Sequence, residues 1–354
     1  MEKINVAVIF GGKSGEHEVS LMSATSVIKA INKEKYNCFP IGITKEGNWM
    51  IYNGPVEKIE TGEWEEIAKN KQIEDFSIMP INRKYSKLKE MADVVFPVLH
   101  GPFGEDGTIQ GLLEMADMSY VGAGVLASSL GMDKILSKKI FEKEGLPVGK
   151  YMFVMKYQLK ENIDQCIKEI EEAFSYPVFI KPANLGSSVG ISKAHNREEL
   201  IIGLNQASLH DRKIIIEAYI DGREIECAIL GNDHPKASVL GEILPSHEFY
   251  DYQAKYSDDQ KSRLIIPADL PKEKSDEIRK MAICAYKAID GSGLSRVDFF
   301  VEKDSLKVYI NEVNTMPGFT KYSMYPLLWE ATGLSYEDLI DELIQLAIKR
   351  YKNR

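Results

Sequence analysis

The chain reads as an α/β protein of two or three domains whose first third builds a mainly parallel sheet. Apolar runs at Ile4–Phe10 and Ala92–Leu99 each stop at a glycine-containing loop and lead into a helical period, the strand–loop–helix alternation of βαβ units. Near the C-terminus, Leu294–Glu302 and Leu306–Asn314 read as strands joined by a turn at Lys303-Asp304, and so as a hairpin. A length of 354 residues allows more than one hydrophobic core.

The elements follow in order. After Gly11-Gly12 and a polar loop to His17, the spacing of Leu21, Ala24, Val27, Ile28 and Ile31 predicts a helix over 19–31, then a strand at Tyr36–Ile43. Residues 53–90 are polar and weakly patterned, an insertion with a helical piece near Trp64. The loop from His100 to Gly107 opens a helix to about Met115, and Gly122-Ala-Gly124 marks a boundary. Met132–Glu144 reads as one helix ended by Gly145 and Pro147. Strands are expected at Tyr151–Met155, Val178–Lys181 and Val189–Lys193, a helix within Glu161–Ala173, and another helix behind an Asn196/Glu199 capping box. Strands Ile214–Tyr219, Glu224–Leu230 and Ser238–Ile243, a long polar loop from Pro245 to Arg263, and a helix over about Ser275–Ile289 precede the hairpin. Ser335 to Asp338 caps a final amphipathic helix.

Composition narrows the function. Hydrophobic content of 44% and charged content of 27% are those of a soluble globular protein. A net charge of −9 argues against non-specific binding to nucleic acid or anionic membrane. No apolar run reaches the length of a membrane span. The opening residues enter a strand at once, without a signal-peptide pattern. Cys38, Cys166, Cys227 and Cys284 are scattered and read as free thiols in a reducing cytoplasm. The six histidines form no HxxxH or HxH pair, so a zinc site is not expected.

Residues two apart in a strand share a face. Arg296 and Asp298 therefore project together, as do Glu312 and Asn314. A paired hairpin would carry two carboxylates, an amide oxygen and a guanidinium on one surface, and its hard oxygen ligands suit Mg²⁺ held against phosphates. The alternative is a solvated polar face, which the apolar flanks Val297, Phe299, Val301, Val308, Ile310 and Val313 weaken by predicting strands buried on both faces. The loop from Lys181 through Gly186-Ser187-Ser188 to Gly190 suits a phosphate cradle, or is simply flexible. Gly11-Gly12-Lys13-Ser14 mimics the end of a P-loop, but the required earlier glycine is Ala7, and no dinucleotide fingerprint follows the strand. Glu16 is a candidate for a substrate ammonium, or serves the following helix dipole. His100, with Glu105-Asp106-Gly107, lies near a substrate or only makes turn chemistry. Glu217 and Glu224 flank Tyr219-Ile220 and are candidates for gripping an adenine and a ribose hydroxyl, unless this is an ordinary hairpin. Phe249, Tyr250, Tyr252, Lys255 and Tyr256 in the long loop predict a lid, or a satellite apolar cluster.

Taken together and in this order, the motifs closely resemble the D-alanine–D-alanine ligases, an ATP-grasp family. They are Gly11-Gly12-x-Ser14-x-Glu16-His17, His100-Gly101 with Glu105-Asp106-Gly107, Met132-Asp133-Lys134, the Lys181 loop, the aromatic loop, Arg296-x-Asp298 and Glu312-x-Asn314-Thr-x-Pro317-Gly318. The resemblance implies three domains, 1–122 for substrate and 123–215 and 216–354 as the two halves of the ATP-grasp, with ATP between those halves. By that likeness Lys134, Lys181, Ser188 and Phe249 belong to the nucleotide site, Lys255 reaches the γ-phosphate, and Glu217, Tyr219, Ile220 and Glu224 hold adenosine. Asp298, Glu312 and Asn314 would bind two Mg²⁺ or Mn²⁺. Glu16 would hold the ammonium of the first D-alanine with His100 nearby, and Ser323 and Arg296 the carboxylate of the second. Glu16, Ser187 and Tyr256 would close the lid, and Arg296 with the Gly318 N–H would stabilise the oxyanion. The implied activity is ATP-dependent joining of two D-alanines for peptidoglycan synthesis, by a homodimer. The alternative is a D-alanine–D-serine ligase. Such enzymes tend to carry Phe at the position of Tyr252 and Arg at that of Met324, so both residues here favour D-alanine.

Overall fold

A computed structural model describes residues 2–70, 87–186, 189–244 and 263–353. Its first sheet is built from β1 (Ile4–Gly11), β2 (Tyr36–Ile43), β3 (Trp49–Ile51), β4 (Val94–Val98) and β5 (Ser119–Tyr120), in the order β3-β2-β1-β4-β5. β1 runs parallel to β2 and to β4, and β4 parallel to β5, while β3 folds back antiparallel at the edge. This is the mainly parallel sheet that the apolar runs predict. With β2 and β4 on opposite sides of β1, the strand order reverses there. The loops after β1 and β4 then lie side by side at the carboxyl ends, where open α/β sheets place ligands.

The second sheet holds β6 (Tyr151–Met155), β7 (Val178–Pro182), β8 (Ser192–Ala194) and β9 (Lys213–Ala218) in the antiparallel order β6-β9-β7-β8. The strand expected from Val189 begins only at Ser192, because Gly190, at φ +71°, holds its approach in a turn. The third sheet, also antiparallel, contains β10 (Gly222–Leu230), β11 (Lys236–Leu244), β12 (Arg263–Ile265), β13 (Leu294–Glu302) and β14 (Val308–Asn314), ordered β12-β11-β10-β13-β14. The expected hairpin is β13–β14.

Two further expectations are corrected. The helix read over 132–144 is present but begins two residues later, running over Lys134–Lys143 behind a separate short helix, Val125–Met132. Asp133 sets that start by acting as N-cap, accepting from the Ile135 and Leu136 N–H groups at 3.1 Å each. The hairpin is not buried on both faces. Val297, Phe299 and Val301 are buried, while the alternate Arg296, Asp298 and Phe300 are only half-buried, the in-and-out period of a strand with one face on a core.

Apolar packing joins the sheets unequally. Val8, Phe10 and Phe96 of the first sheet share one cluster with Leu230, Leu294, Phe319, Tyr325 and Leu343. The second sheet has its own cluster, around Val154, Ile167, Ile180, Leu200 and Ile216. Among the described residues no helix is long and apolar enough to cross a membrane.

Candidate active site

β13 and β14 set the floor of the site by register. Asp298 stands opposite Glu312, and Arg296 opposite Asn314. On the other side of β13, Glu226 of β10 stands opposite Asp298. Three carboxylates thus form a row across three neighbouring strands, which is unfavourable unless cations compensate it. Arg296 supplies part of that compensation, with Nε and Nη2 each donating to one Asp298 oxygen at 2.7 Å and Nε lying 3.0 Å from Glu226. Burial alone would lower the Arg296 guanidinium, but Asp298 and Glu226 hold it well above its ordinary value. Asn314 donates to Asp298 at 2.9 Å.

The second sheet and the helix Lys134–Lys143 supply the facing cations across a cleft of about 500 Å³. Lys134, first residue of its helix, reaches Glu312 at 3.2 Å and the Leu185 carbonyl at 2.9 Å. Lys181 at the end of β7 contacts one oxygen of Glu217 at 2.6 Å, and Lys138 the other at 2.8 Å. Burial would raise the Glu217 carboxyl, yet the two lysines hold it well below the usual carboxylate range. Tyr219, Ile220 and Glu224 line the same cleft, with the Lys193 ammonium 4.3 Å from the Tyr219 ring centre.

The loops of the first sheet reach this cleft through Glu16, His100 and Glu105. Glu16 occupies the N-cap position of the helix His17–Ala30, but its side chain does not cap it. The carboxylate lies against Gly101, where a Cβ would collide with it, and a Cβ at Gly186 would stand 3.2 Å away. The Glu16 carboxylate is thus turned toward the cleft loops rather than onto the first N–H groups of its helix. His100 is buried between the Met316 carbonyl at 3.1 Å and the Ser23 hydroxyl at 3.0 Å. Burial lowers its imidazole despite the opposing Glu16 charge, so neutral His100 donates from Nδ1 to Met316 and accepts at Nε2 from Ser23. Burial, then the Glu16 charge, pushes the Glu105 carboxyl up to about 8, against the Gly101 N–H that donates to it at 2.6 Å.

Thirteen residues singled out in the sequence therefore converge: Glu16, His100, Lys134, Lys181, Glu217, Tyr219, Ile220, Glu224, Arg296, Asp298, Glu312, Asn314 and Gly318. Ser323 stands behind this lining, 3.2 Å from where a Gly318 Cβ would be, its hydroxyl 2.8 Å from that of Thr320. Met324 is buried in the apolar cluster shared by the first and third sheets, over Gly241, where a Cβ would fall 2.5 Å from its sulfur. Ser187, Ser188, Phe249, Tyr252, Lys255 and Tyr256 lie outside the described residues. Lys138 and Glu226 escaped the reading of the sequence. Both had a signal: Lys138 is four residues after Lys134 on one helix face, and Glu226 two after Glu224 on one strand face.

The cleft can neutralise a polyphosphate with its lysines and hold a hard divalent cation on its floor. Among the described residues no three or more His, Cys, Asp and Glu side chains form a closed metal cluster. The donors that are present, two opposed carboxylates and an amide oxygen, fit a cation that completes its shell with phosphate and water.

Comparison with known proteins agrees with this geometry along the whole chain. The model of the D-ala D-ala ligase N-terminus matches residues 5–123, and that of the D-ala D-ala ligase C-terminus residues 140–345. A D-alanine–D-alanine ligase of Acetivibrio thermocellus is 54% identical, over 99% of this chain and 98% of that protein. The solved VanG D-Ala:D-Ser ligase from Enterococcus faecalis is 39% identical with a TM-score of 0.85, over 98% of this chain and 100% of that one. The D-alanine–D-alanine ligase from Coxiella burnetii is 35% identical with a TM-score of 0.84, over 100% of this chain and 96% of that one. With both family models in sequence order, a relative more than half identical and the same fold in solved structures, the chain belongs to the D-alanine–D-alanine ligase family.

Proposed function

We propose that this chain joins two D-alanines to D-alanyl-D-alanine at the expense of ATP, through a D-alanyl phosphate, and so supplies a peptidoglycan precursor. The observation that carries the reading is a single cleft in which Lys134 and Lys181 face the Asp298–Glu312 pair while Glu16 reaches in beside Gly186.

The chemistry explains the inventory. A carboxylate resists amine attack because oxide is a poor leaving group, and phosphorylation by ATP makes that oxygen leave as phosphate. Phosphoryl transfer needs charge neutralisation and in-line positioning more than covalent help. Lys134 and Lys181 neutralise the phosphates, with Ser188, Phe249 and Lys255 completing the nucleotide site. Glu217, Tyr219, Ile220 and Glu224 hold the adenosine. Asp298, Glu312 and Asn314 would hold two Mg²⁺ or Mn²⁺, which supply further charge neutralisation at the phosphoryl oxygens. Glu16 binds the ammonium of the first D-alanine beside neutral His100. Arg296 and Ser323 orient the carboxylate of the second, near Tyr252 and Met324. When its amine attacks, Arg296 and the Gly318 N–H stabilise the oxyanion, at about 3 kcal/mol per donor. Glu16, Ser187 and Tyr256 link the lid to the site, excluding water from the acyl phosphate.

The domain division at 1–122, 123–215 and 216–354 belongs to the same proposal, supported by the second sheet having its own apolar cluster. The second boundary falls within β9, which pairs through Ala218. We also propose a homodimer acting in the cytoplasm. D-serine as second substrate remains the competing reading, favoured by the likeness to the D-Ala:D-Ser ligase structure. Incubation with ATP, Mg²⁺ and equal D-alanine and D-serine, with products identified by mass, decides between them. D-alanyl-D-alanine as main product is expected. D-alanyl-D-serine would overturn the specificity, and ADP release without dipeptide would overturn the acceptor.

A further inference from the structure

We propose that Lys138 is a positioning residue that keeps the Glu217 carboxylate in place while Lys181 transfers from Glu217 to a nucleotide phosphate. The inference rests on the ligase reading above and adds a residue that the reading does not use. Lys138 is 2% exposed, on a helix whose other buried positions are Lys134, Ile135, Ser137 and Phe141. Holding a lysine so deep requires full compensation. Its ammonium has two partners from two different sheets, Glu217 of β9 at 2.8 Å and the Asn311 carbonyl of β14 at 3.0 Å. It therefore bridges the two walls of the cleft beneath the nucleotide site.

The two lysines divide the carboxylate between them, Lys138 on Oε1 and Lys181 on Oε2. A lysine that serves a phosphate must leave Glu217 when the nucleotide arrives. With Lys138 in place, that departure exposes only Oε2, which is then open to accept from the adenine amino group, and the carboxylate stays paired through Oε1. Without Lys138, the same departure strands a buried carboxylate. Either Lys181 stays and the phosphate contact is lost, or Glu217 takes up a proton. The charged groups facing Glu217 are Lys138 from its helix and Lys181 from β7. Glu224 of β10 and Glu312 of β14 act on Lys181. The cross-strand neighbours of Glu217 are Tyr151 and Phe179, and the Tyr151 hydroxyl is turned to Glu142 at 3.1 Å. None of these can replace Lys138.

The test is titration of the full-length protein with ADP and Mg²⁺ by calorimetry, from about pH 6 to 9, in buffers of different ionisation enthalpy. Wild type should bind with little pH dependence. Lys138→Met should bind at least about tenfold more weakly at the alkaline end, where a stranded carboxylate is hardest to protonate. It should gain affinity as pH falls, taking up to one proton per nucleotide. In turnover, its KM for ATP should rise while that for D-alanine stays within about twofold. Lys138→Met/Glu217→Gln removes the stranded charge and keeps an oxygen acceptor. It should bind ADP more tightly than Lys138→Met at the alkaline end, with a flat pH profile. Lys138→Met with wild-type affinity would overturn the proposal. So would a loss of affinity without proton uptake and without rescue by the double variant, the mark of a merely structural lysine. Wild type that binds no ADP would remove the ligase reading itself, a result distinct from either.

Discussion

The third sheet meets the first through Phe96, Phe319, Tyr325 and their neighbours, and meets the second through Lys134, Lys138 and the carbonyl and carboxylates opposite them. In the first seam Phe319 is fully buried, 5.8 Å from the Phe96 ring and 5.7 Å from that of Tyr325, and its carbonyl accepts from Tyr336 at 2.6 Å. Little there has an alternative partner in water, and such packing is not continuously deformable. The second seam is a chain of ion pairs around a cleft, and each pair can exchange a partner with an incoming phosphate or cation. One seam fixes the loops after β1 and β4 relative to β13 and β14, and the other is built from exchangeable ion pairs. His100 lies where they meet, buried on the first sheet's side and bonded to the Met316 carbonyl after β14.

Substitutions on the two seams should fail in opposite ways. Glu312→Ala should lower turnover by about three orders of magnitude, the loss expected of a group that organises transition-state charge, with a thermal midpoint close to wild type. Unchanged turnover would sink the metal assignment. Phe319→Ala should do the reverse. Removing a fully buried ring from a shared core costs about 3–5 kcal/mol, so the midpoint falls sharply while KM for ATP in the folded fraction holds. A large KM change with an unshifted midpoint would mean that the apolar seam also moves during turnover.

Glu105 sharpens the comparison from the end of the cleft. Its carboxyl is raised to about 8 by burial and the Glu16 charge, against an unfolded value near 4.5. The folded state then binds more protons than the unfolded state between those values, so stability falls as pH rises through that window. Glu105→Gln should abolish this slope and stabilise the protein at pH 9 relative to pH 6 by on the order of 2 kcal/mol compared with wild type. Thermal melts at the two pH values measure it. Equal slopes in both proteins would show that Glu105 stays ionised in the fold.

Local pattern made most of this architecture legible. The strands Tyr36–Ile43, Tyr151–Met155 and Leu294–Glu302 have the bounds that their apolar periods predict, and the motif residues from distant segments meet in one cleft. What the sequence hides is whatever depends on two chain segments meeting. The start of the helix at Lys134 rather than Met132 is hidden because the helical pattern runs on through Met132. Only the side-chain bonds of Asp133 and its ion pair with Lys213 mark it as a cap. Lys138 looks like one more solvated lysine until Glu217 and Asn311 are brought to it from other strands. The half-buried face of the hairpin is hidden because its flanking residues describe only the side that packs, and the facing wall of the cleft comes from the distant segments that carry Lys134 and Lys181.

Two helix caps give the finest test, since they match in chemistry and differ in which seam they serve. Ser335, exposed at the start of the helix Tyr336–Lys352 on the apolar side, accepts from the Asp338 N–H at 3.1 Å. Asp133 is buried and does the same for the helix that opens with Lys134. Losing either cap should cost about 1 kcal/mol. Ser335→Ala should stop there, with both KM values unchanged. Asp133→Ala also frees Lys213 and loosens the turn that aims Lys134 between Leu185 and Glu312. Its KM for ATP should rise about five- to tenfold, the worth of one charge-assisted contact, with KM for D-alanine little changed. Asp133→Asn keeps the capping oxygen but not the ion pair, and so should recover the stability while leaving part of the KM defect. If both cap variants lost stability alone, Lys134 would be held by Glu312 and Leu185 without help from its helix, and the ionic seam would be stiffer than its exchangeable partners imply.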